Sequence, residues 1–178
     1  MQLTGKQIIE RGIVTGVEAP EQVQQQGIDV RVFSIYSVGG RYGFIPKSGK
    51  TITPKREVIP TSFSDGSAVC SIPAGVKYWY LEPGYYELEL MEGCSIPDNA
   101  TLHFKSRSSL VRCGCQVFSG QFDAGFKTDF MGCYLLVTLP VYIERGARVA
   151  QAIVFESDPV SKDNLYNGQW QGDKQRNS

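Results

Sequence analysis

The repeated short runs in which apolar and polar residues alternate constrain this chain most. From Gly27, Ile28, Val30 and Val32 share one side while Asp29 and Arg31 share the other, the period of a strand with one buried face. Comparable runs recur at residues 76–81, 85–91, 101–104, 115–118, 134–138, 141–143 and 149–155. Each is bounded by Gly, Pro, Asp or Asn, residues that supply turn geometry. Helix chemistry is confined to the N-terminus, with Thr4 as N-cap, Gln7 closing a capping box, Leu3 set to staple against Ile8, and Gly12 as the stop. No second helix is predicted. Many short strands at close spacing need a doubled or closed sheet to protect their edges. The expected fold is therefore all-β, a sandwich, jelly roll or distorted barrel with a short N-terminal helix.

At 178 residues and 42% hydrophobic, the chain suits one core and one domain. The expected division is a β domain over residues 1–156 and a polar tail over 157–178 that carries Tyr166 and Trp170 among Gln, Asn and Gly. Residues 39–74 are rich in Gly and Pro and read as an excursion with one hairpin and no legible role.

Composition removes several kinds of chemistry. Lys plus Arg (18) balances Asp plus Glu (18), so no net field draws the chain to nucleic acid or an anionic membrane. Any phosphate must be held locally. His103 is the single histidine, which leaves most Ser-His-Asp and Cys-His mechanisms without a base. Cys70, Cys94, Cys113, Cys115 and Cys133 are odd in number and form no C-x-x-C pair, against a disulfide framework or a zinc site. Neither a signal-peptide pattern nor a membrane-length run of about 18 apolar residues is present. The expectation is a cytoplasmic protein that works with carboxylates, arginines and backbone amides.

Four segments concentrate such groups. Lys105-Ser106-Arg107-Ser108-Ser109-Leu110-Val111-Arg112 gathers cations and hydroxyls able to bind a polyphosphate; equally it is a solvated charged loop, with Leu110 as a core anchor. Asp123, between Phe122 and Phe126 and next to Ala124-Gly125, is a base for water beside a close backbone approach, or simply a hairpin tip. Gln151 is polar among Val149, Ile153 and Phe155, with ligand or backbone as partner. Asp29 and Arg31 read as a structural ion pair. Tyr166 to Asp173 mixes aromatics, glycines and amides, as a lid over a base or sugar would, or as a tail packing on a neighbouring subunit.

In order and spacing these segments resemble the trimeric dUTPase and dCTP deaminase superfamily, nearest its archaeal-type dUTPases. Gly27-Ile28-Asp29-Val30-Arg31-Val32 is similar to the first motif, Arg107-Ser108-Ser109-Leu110-Val111-Arg112 to the second, Phe122-Asp123-Ala124-Gly125-Phe126 to the third, and Gly146-Ala147-Arg148-Val149-Ala150-Gln151 to the fourth. Tyr166 to Gly172 resembles the C-terminal closing segment. The resemblance implies a distorted jelly-roll (β-clip) subunit in a homotrimer, with interfacial sites that take a deoxynucleoside triphosphate and Mg²⁺. By position, Asp123 would orient and deprotonate water, and Arg107, Ser108, Ser109, Arg112 and Gln151 would hold phosphates. Phe126 would lie against the deoxyribose, and Tyr166 and Gln171 would close on the nucleotide. Asp29 would reach a metal only through water, or brace its motif. The hairpin backbone after Asp123 would pair with the uracil edge.

Related deaminases carry a glutamate for proton exchange in a G-C-x-x-L-E pattern, where this chain has Gly132-Cys133-Tyr134-Leu135-Leu136-Val137. Valine cannot exchange a proton. Lys127-Thr128-Asp129-Phe130-Met131 lengthens the third motif and offers Asp129 as a second carboxylate, while proline before Arg107 and an Arg-containing glycine-rich fifth motif are missing. The expected activity is hydrolysis of dUTP to dUMP and pyrophosphate. The alternatives are a dCTP deaminase, alone or bifunctional, and a catalytically silent nucleotide-sensing or protein-interaction module.

Overall fold

The computed structural model describes residues 1–39, 43–66 and 72–172. Helix α1 (Gly5–Glu10) leads into β1 (Val14–Thr15), β2 (Val23–Gln24), β3 (Gly27–Val38), β4 (Arg56–Val58) and β5 (Ser62–Phe63). Next come β6 (Lys77–Leu81), β7 (Gly84–Leu90), β8 (Gly93–Ser95), β9 (Ala100–Ser106) and helix α2 (Ser108–Arg112). The chain then forms β10 (Cys115–Phe118), β11 (Lys127–Thr128), β12 (Gly132–Val137), β13 (Val141–Glu144) and β14 (Arg148–Glu156).

The main sheet runs β10-β12-β7-β3-β14-β9, with β2 and β4 added to β3, and smaller sheets β1-β8-β11 and β13-β6-β5 flank it. The main sheet rolls back on itself: Val117 N–H in β10 donates to Ser106 Oγ at the end of β9, 2.8 Å away. Its two outer strands therefore meet, which shields edges that a flat sheet would expose. The chain is mostly β and barrel-like, with two short α-helices among the described residues.

Alternation fills the core as expected. Ile28, Val30, Val32, Leu88, Leu102 and Leu135 are fully buried, each side chain contributing about 1.5–3 kcal/mol by leaving water. Cys94 and Cys133 belong to this core, and burial pushes the Cys94 thiol up to about 12. The described cysteines, which do not include Cys70, are free. At α1 the Thr4/Gln7 capping box forms. Past its end, Gly12 at φ +63° lets Gly12 N–H reach Ile9 C=O and Ile13 N–H reach Ile8 C=O, a Schellman closure that a β-carbon would strain.

Two expectations are corrected. The second motif is helical: residues 108–112 form a single turn, too short for its one buried anchor, Leu110, to show a 3.6-residue period. Asp29 and Arg31 do not pair with each other. Same-face neighbours on a strand stand about 6–7 Å apart, and each finds a nearer partner. Arg31 Nε donates to Glu92 Oε1 at 2.7 Å and Nη1 to Glu18 Oε2 at 2.8 Å. Glu92 is fully buried and also accepts from Gln22 Nε2 and Arg31 N–H.

Candidate active site

The site residues form two groups. The first is fixed by strand register. Gln151 on β14 lies opposite Asp29 on β3 and opposite Lys105 on β9. Asp29 is buried, and its Oδ2 meets Arg107 Nε at 3.0 Å and Arg148 Nη1 at 3.5 Å. The Gln151 side chain also bonds the Asp29 carboxyl. Burial raises the Asp29 pKa, and Arg107, Arg148 and Gln151 pull it back only in part. Arg107 is the N-cap of α2 and also donates through Nη1 to Arg148 C=O at 3.2 Å. Its guanidinium is thereby fixed, next in the chain to the exposed hydroxyls of Ser108 and Ser109. Arg112, in the last residue of α2, is exposed.

The second group surrounds a cavity of about 770 Å³, within the range of small-ligand sites. Asp123-Ala124-Gly125-Phe126 is a tight turn closed by Phe126 N–H donating to Asp123 C=O at 3.0 Å, with Gly125 at φ +86°. That φ favours glycine. The turn sets the exposed Asp123 carboxylate into the cavity wall, where Oδ1 accepts from Gln121 Nε2 at 2.8 Å. Phe126 stands edge-on to Phe122 and to Tyr166, with ring centroids 5.4 Å apart in both cases.

The tail lies on this turn. Tyr166 N–H donates to Ala124 C=O at 2.8 Å, and a β-carbon on Gly125 would come within 2.8 Å of Leu165. Gln171 donates through Nε2 to Gly125 C=O at 2.8 Å and accepts from Lys127 N–H at 3.0 Å. The hairpin groups expected to meet a base edge are thus paired with one carboxamide. The cavity wall includes Asp123, Phe126 and Tyr166 and does not include Arg107, Ser108, Ser109, Arg112, Gln151 or Asp129. His103 packs edge-on against Phe155 instead. Val137 is in the core, paired with Cys115 and Gly84.

Sequence reading missed Arg148 as a partner of Asp29, because their meeting depends on the β3–β14 register. Gln121 had a visible signal, since it precedes Asp123 by two residues in extended chain. Among the described residues no three His, Cys, Asp or Glu side chains group as metal ligands.

A family model described as dCTP deaminase-like matches residues 3–157. The chain belongs to that family. Among similar proteins, a "probable deoxyuridine 5′-triphosphate nucleotidohydrolase" of Aeropyrum pernix is 32% identical, over 97% of this chain and 99% of that one. One of Halobacterium salinarum with the same name is 31% identical, over 88% and 87%. The deoxyuridine 5′-triphosphate nucleotidohydrolase of Methanocaldococcus jannaschii is 28% identical, over 85% and 88%. The crystal structure of 2′-deoxycytidine 5′-triphosphate deaminase from Agrobacterium tumefaciens shares the fold, with a TM-score of 0.58 at 18% identity, over 86% of this chain. This chain spans about half of that longer one, 47%.

Proposed function

We propose that this dCTP deaminase-like protein is a dUTP diphosphatase that hydrolyses dUTP to dUMP and pyrophosphate. The observation that carries the reading is the Asp123 carboxylate in the cavity wall, beside Phe126, in a chain whose relatives are named for dUTP hydrolysis. Gln121 holds one carboxylate oxygen and leaves the other to orient a water. That water gives its proton to Asp123 as its oxygen bonds to the α-phosphorus, and the α–β bridging bond breaks to release pyrophosphate.

Arg107, held by Asp29 and backed by Ser108, Ser109, Arg112 and Gln151, neutralises phosphate charge as it shifts towards the leaving group. Phe126 packs against the deoxyribose, and Tyr166 and Gln171 close on the nucleotide. Bound with the triphosphate, Mg²⁺ would supply further charge neutralisation there. Asp29 braces Arg107, and any contact it makes with the metal runs through water. A cavity wall that lacks Arg107, Ser108, Ser109, Arg112 and Gln151 supports a homotrimer in which one subunit's phosphate-binding residues face its neighbour's Asp123 turn. The cytoplasm, where dUTP would be met, is the proposed location.

The branch choice rests on Val137, whose buried side chain carries no exchangeable proton. Pyrophosphate and ammonia should be followed together with dUTP and dCTP. The reading expects pyrophosphate from dUTP and no ammonia from dCTP. Ammonia release would make the protein a deaminase, and silence with both nucleotides would favour a sensing or interaction module.

A further inference from the structure

The excursion of residues 39–74, which the sequence leaves without a role, meets the C-terminal tail beside the cavity. Phe44 and Ile52 pair through two backbone hydrogen bonds of 2.9 Å, forming a hairpin with Gly49 at φ +96° near its tip. Successive residues of an antiparallel pair turn their N–H and C=O groups to opposite sides. With Ile52 facing Phe44, Thr51 faces outward. Gln169 takes both of its groups: Thr51 N–H donates to Gln169 Oε1 at 2.9 Å, and Gln169 Nε2 donates to Thr51 C=O at 3.0 Å. One carboxamide pairs as a neighbouring strand would.

Both partners continue directly into the cavity wall. Beyond Thr51, Thr53 to Arg56 line it; beyond Gln169, Trp170 and Gly172 line it; Asp123 and Phe126 belong to the same wall. The backbone at Trp170 is itself held, its main-chain N–H donating to Tyr166 Oη at 3.1 Å. Two residues after Gln169, Gln171 binds Gly125 and Lys127. The tail is therefore tied on one side to the Asp123 turn and on the other to the excursion hairpin, each time by a glutamine paired both ways with backbone. Such neutral, half-buried pairs are strong enough to place a segment and weak enough to open for ligand exchange.

We propose that Gln169 is a positioning residue that joins the excursion hairpin to the tail, so that the two close over the nucleotide as a single wall. This rests on reading the cavity as the dUTP site. The hairpin of residues 44–52 is then a part of substrate binding, and opening the wall requires the Thr51–Gln169 pair to part.

The test compares the full-length parent with Gln169→Ala, which removes both bonds. Gln169→Glu keeps the size but sets a carboxylate oxygen against the Thr51 carbonyl. Both variants should raise KM for dUTP about tenfold while kcat moves less than about twofold. Trypsin cleavage after Lys50, the residue before Thr51, should accelerate about fivefold in the nucleotide-free variants. A non-hydrolysable α,β-imido analogue of dUTP should protect that bond in the parent and fail to do so in the variants. An unchanged KM, or unchanged cleavage after Lys50, in folded Gln169→Ala overturns the proposal. Failure of the dUTP reading shows separately, as a parent that releases no pyrophosphate from dUTP. In that case cleavage without nucleotide still decides whether Gln169 ties hairpin to tail.

Discussion

The group around Asp29 stands on neighbouring strands of the main sheet, where the register of β3 against β14 sets Asp29 opposite Gln151. The group around Asp123 stands on a turn and is covered by a tail, held by backbone hydrogen bonds and glutamine amides. The first centres on a buried carboxylate tied by ion pairs; the second is a cavity wall that sets the Asp123 carboxylate among aromatic rings and the charged side chains of Lys55, Arg56, Glu87 and Glu89. On the proposed function, the contrast follows the ligand. A triphosphate needs fixed cations that do not reorganise as charge moves, which strands provide. A base and sugar must enter and leave, which a turn and a closing segment allow.

The largest break in this comparison should come at Asp123. Asp123→Asn keeps the Gln121 contact but cannot take a proton, and dUTP turnover should fall about a thousandfold with little change in melting temperature. Equal pyrophosphate release from variant and parent would remove the carboxylate from the mechanism.

Arg107→Ala should cost about a hundredfold in kcat/KM, whereas Arg107→Lys should recover little, because a point charge cannot serve Asp29 and a phosphate with a planar fork. Full rescue by lysine would show that only charge matters there.

Asp29 sharpens the difference through pH. Burial raises its pKa, so the folded chain binds this proton more readily than the unfolded chain. Ionisation of Asp29 therefore costs stability at neutral pH, and acid favours the fold with respect to this group while it loosens Arg107. Activity should fall on acidification before the fold melts. Asp29→Asn should lower kcat/KM about tenfold at neutral pH and flatten the acid limb of the pH profile. An unaltered acid limb would place that titration elsewhere.

The smallest effect belongs to the tail. Gln171→Ala frees Gly125 C=O and Lys127 N–H, and KM for dUTP should rise about fivefold with kcat nearly constant. A fall in kcat with unchanged KM would assign Gln171 to the chemical step.

The same division governed what was legible in the sequence. Alternation in Ile28, Val30 and Val32, the cap at Thr4 and the anchor Leu110 all express local rules, and each is found in the structure. The main strands stand where alternation put them, while two- and three-residue strands such as β1, β8 and β11 escape any period. The segment around Asp123 was visible as a turn because Gly125 marks its positive φ. The Asp29–Arg107–Arg148 cluster was invisible as a cluster, since it joins residues 78 and 119 positions apart through sheet register. Nor does any pattern announce that Gln169 will find Thr51, because a glutamine reaching a hairpin's outer edge depends on where two irregular segments meet.

The central claim is that Asp123 of one subunit and Arg107 of another act at one dUTP site. Asp123→Asn and Arg107→Ala chains should be coexpressed with different tags, and the assemblies carrying both tags purified and assayed for pyrophosphate release from dUTP. Each variant alone should be nearly inactive. The mixed assemblies should recover about a third of the parent rate, since a trimer of two kinds of chain holds one intact site in three. Mixed assemblies as inactive as either variant alone would contradict the claim and place the whole site within a single chain.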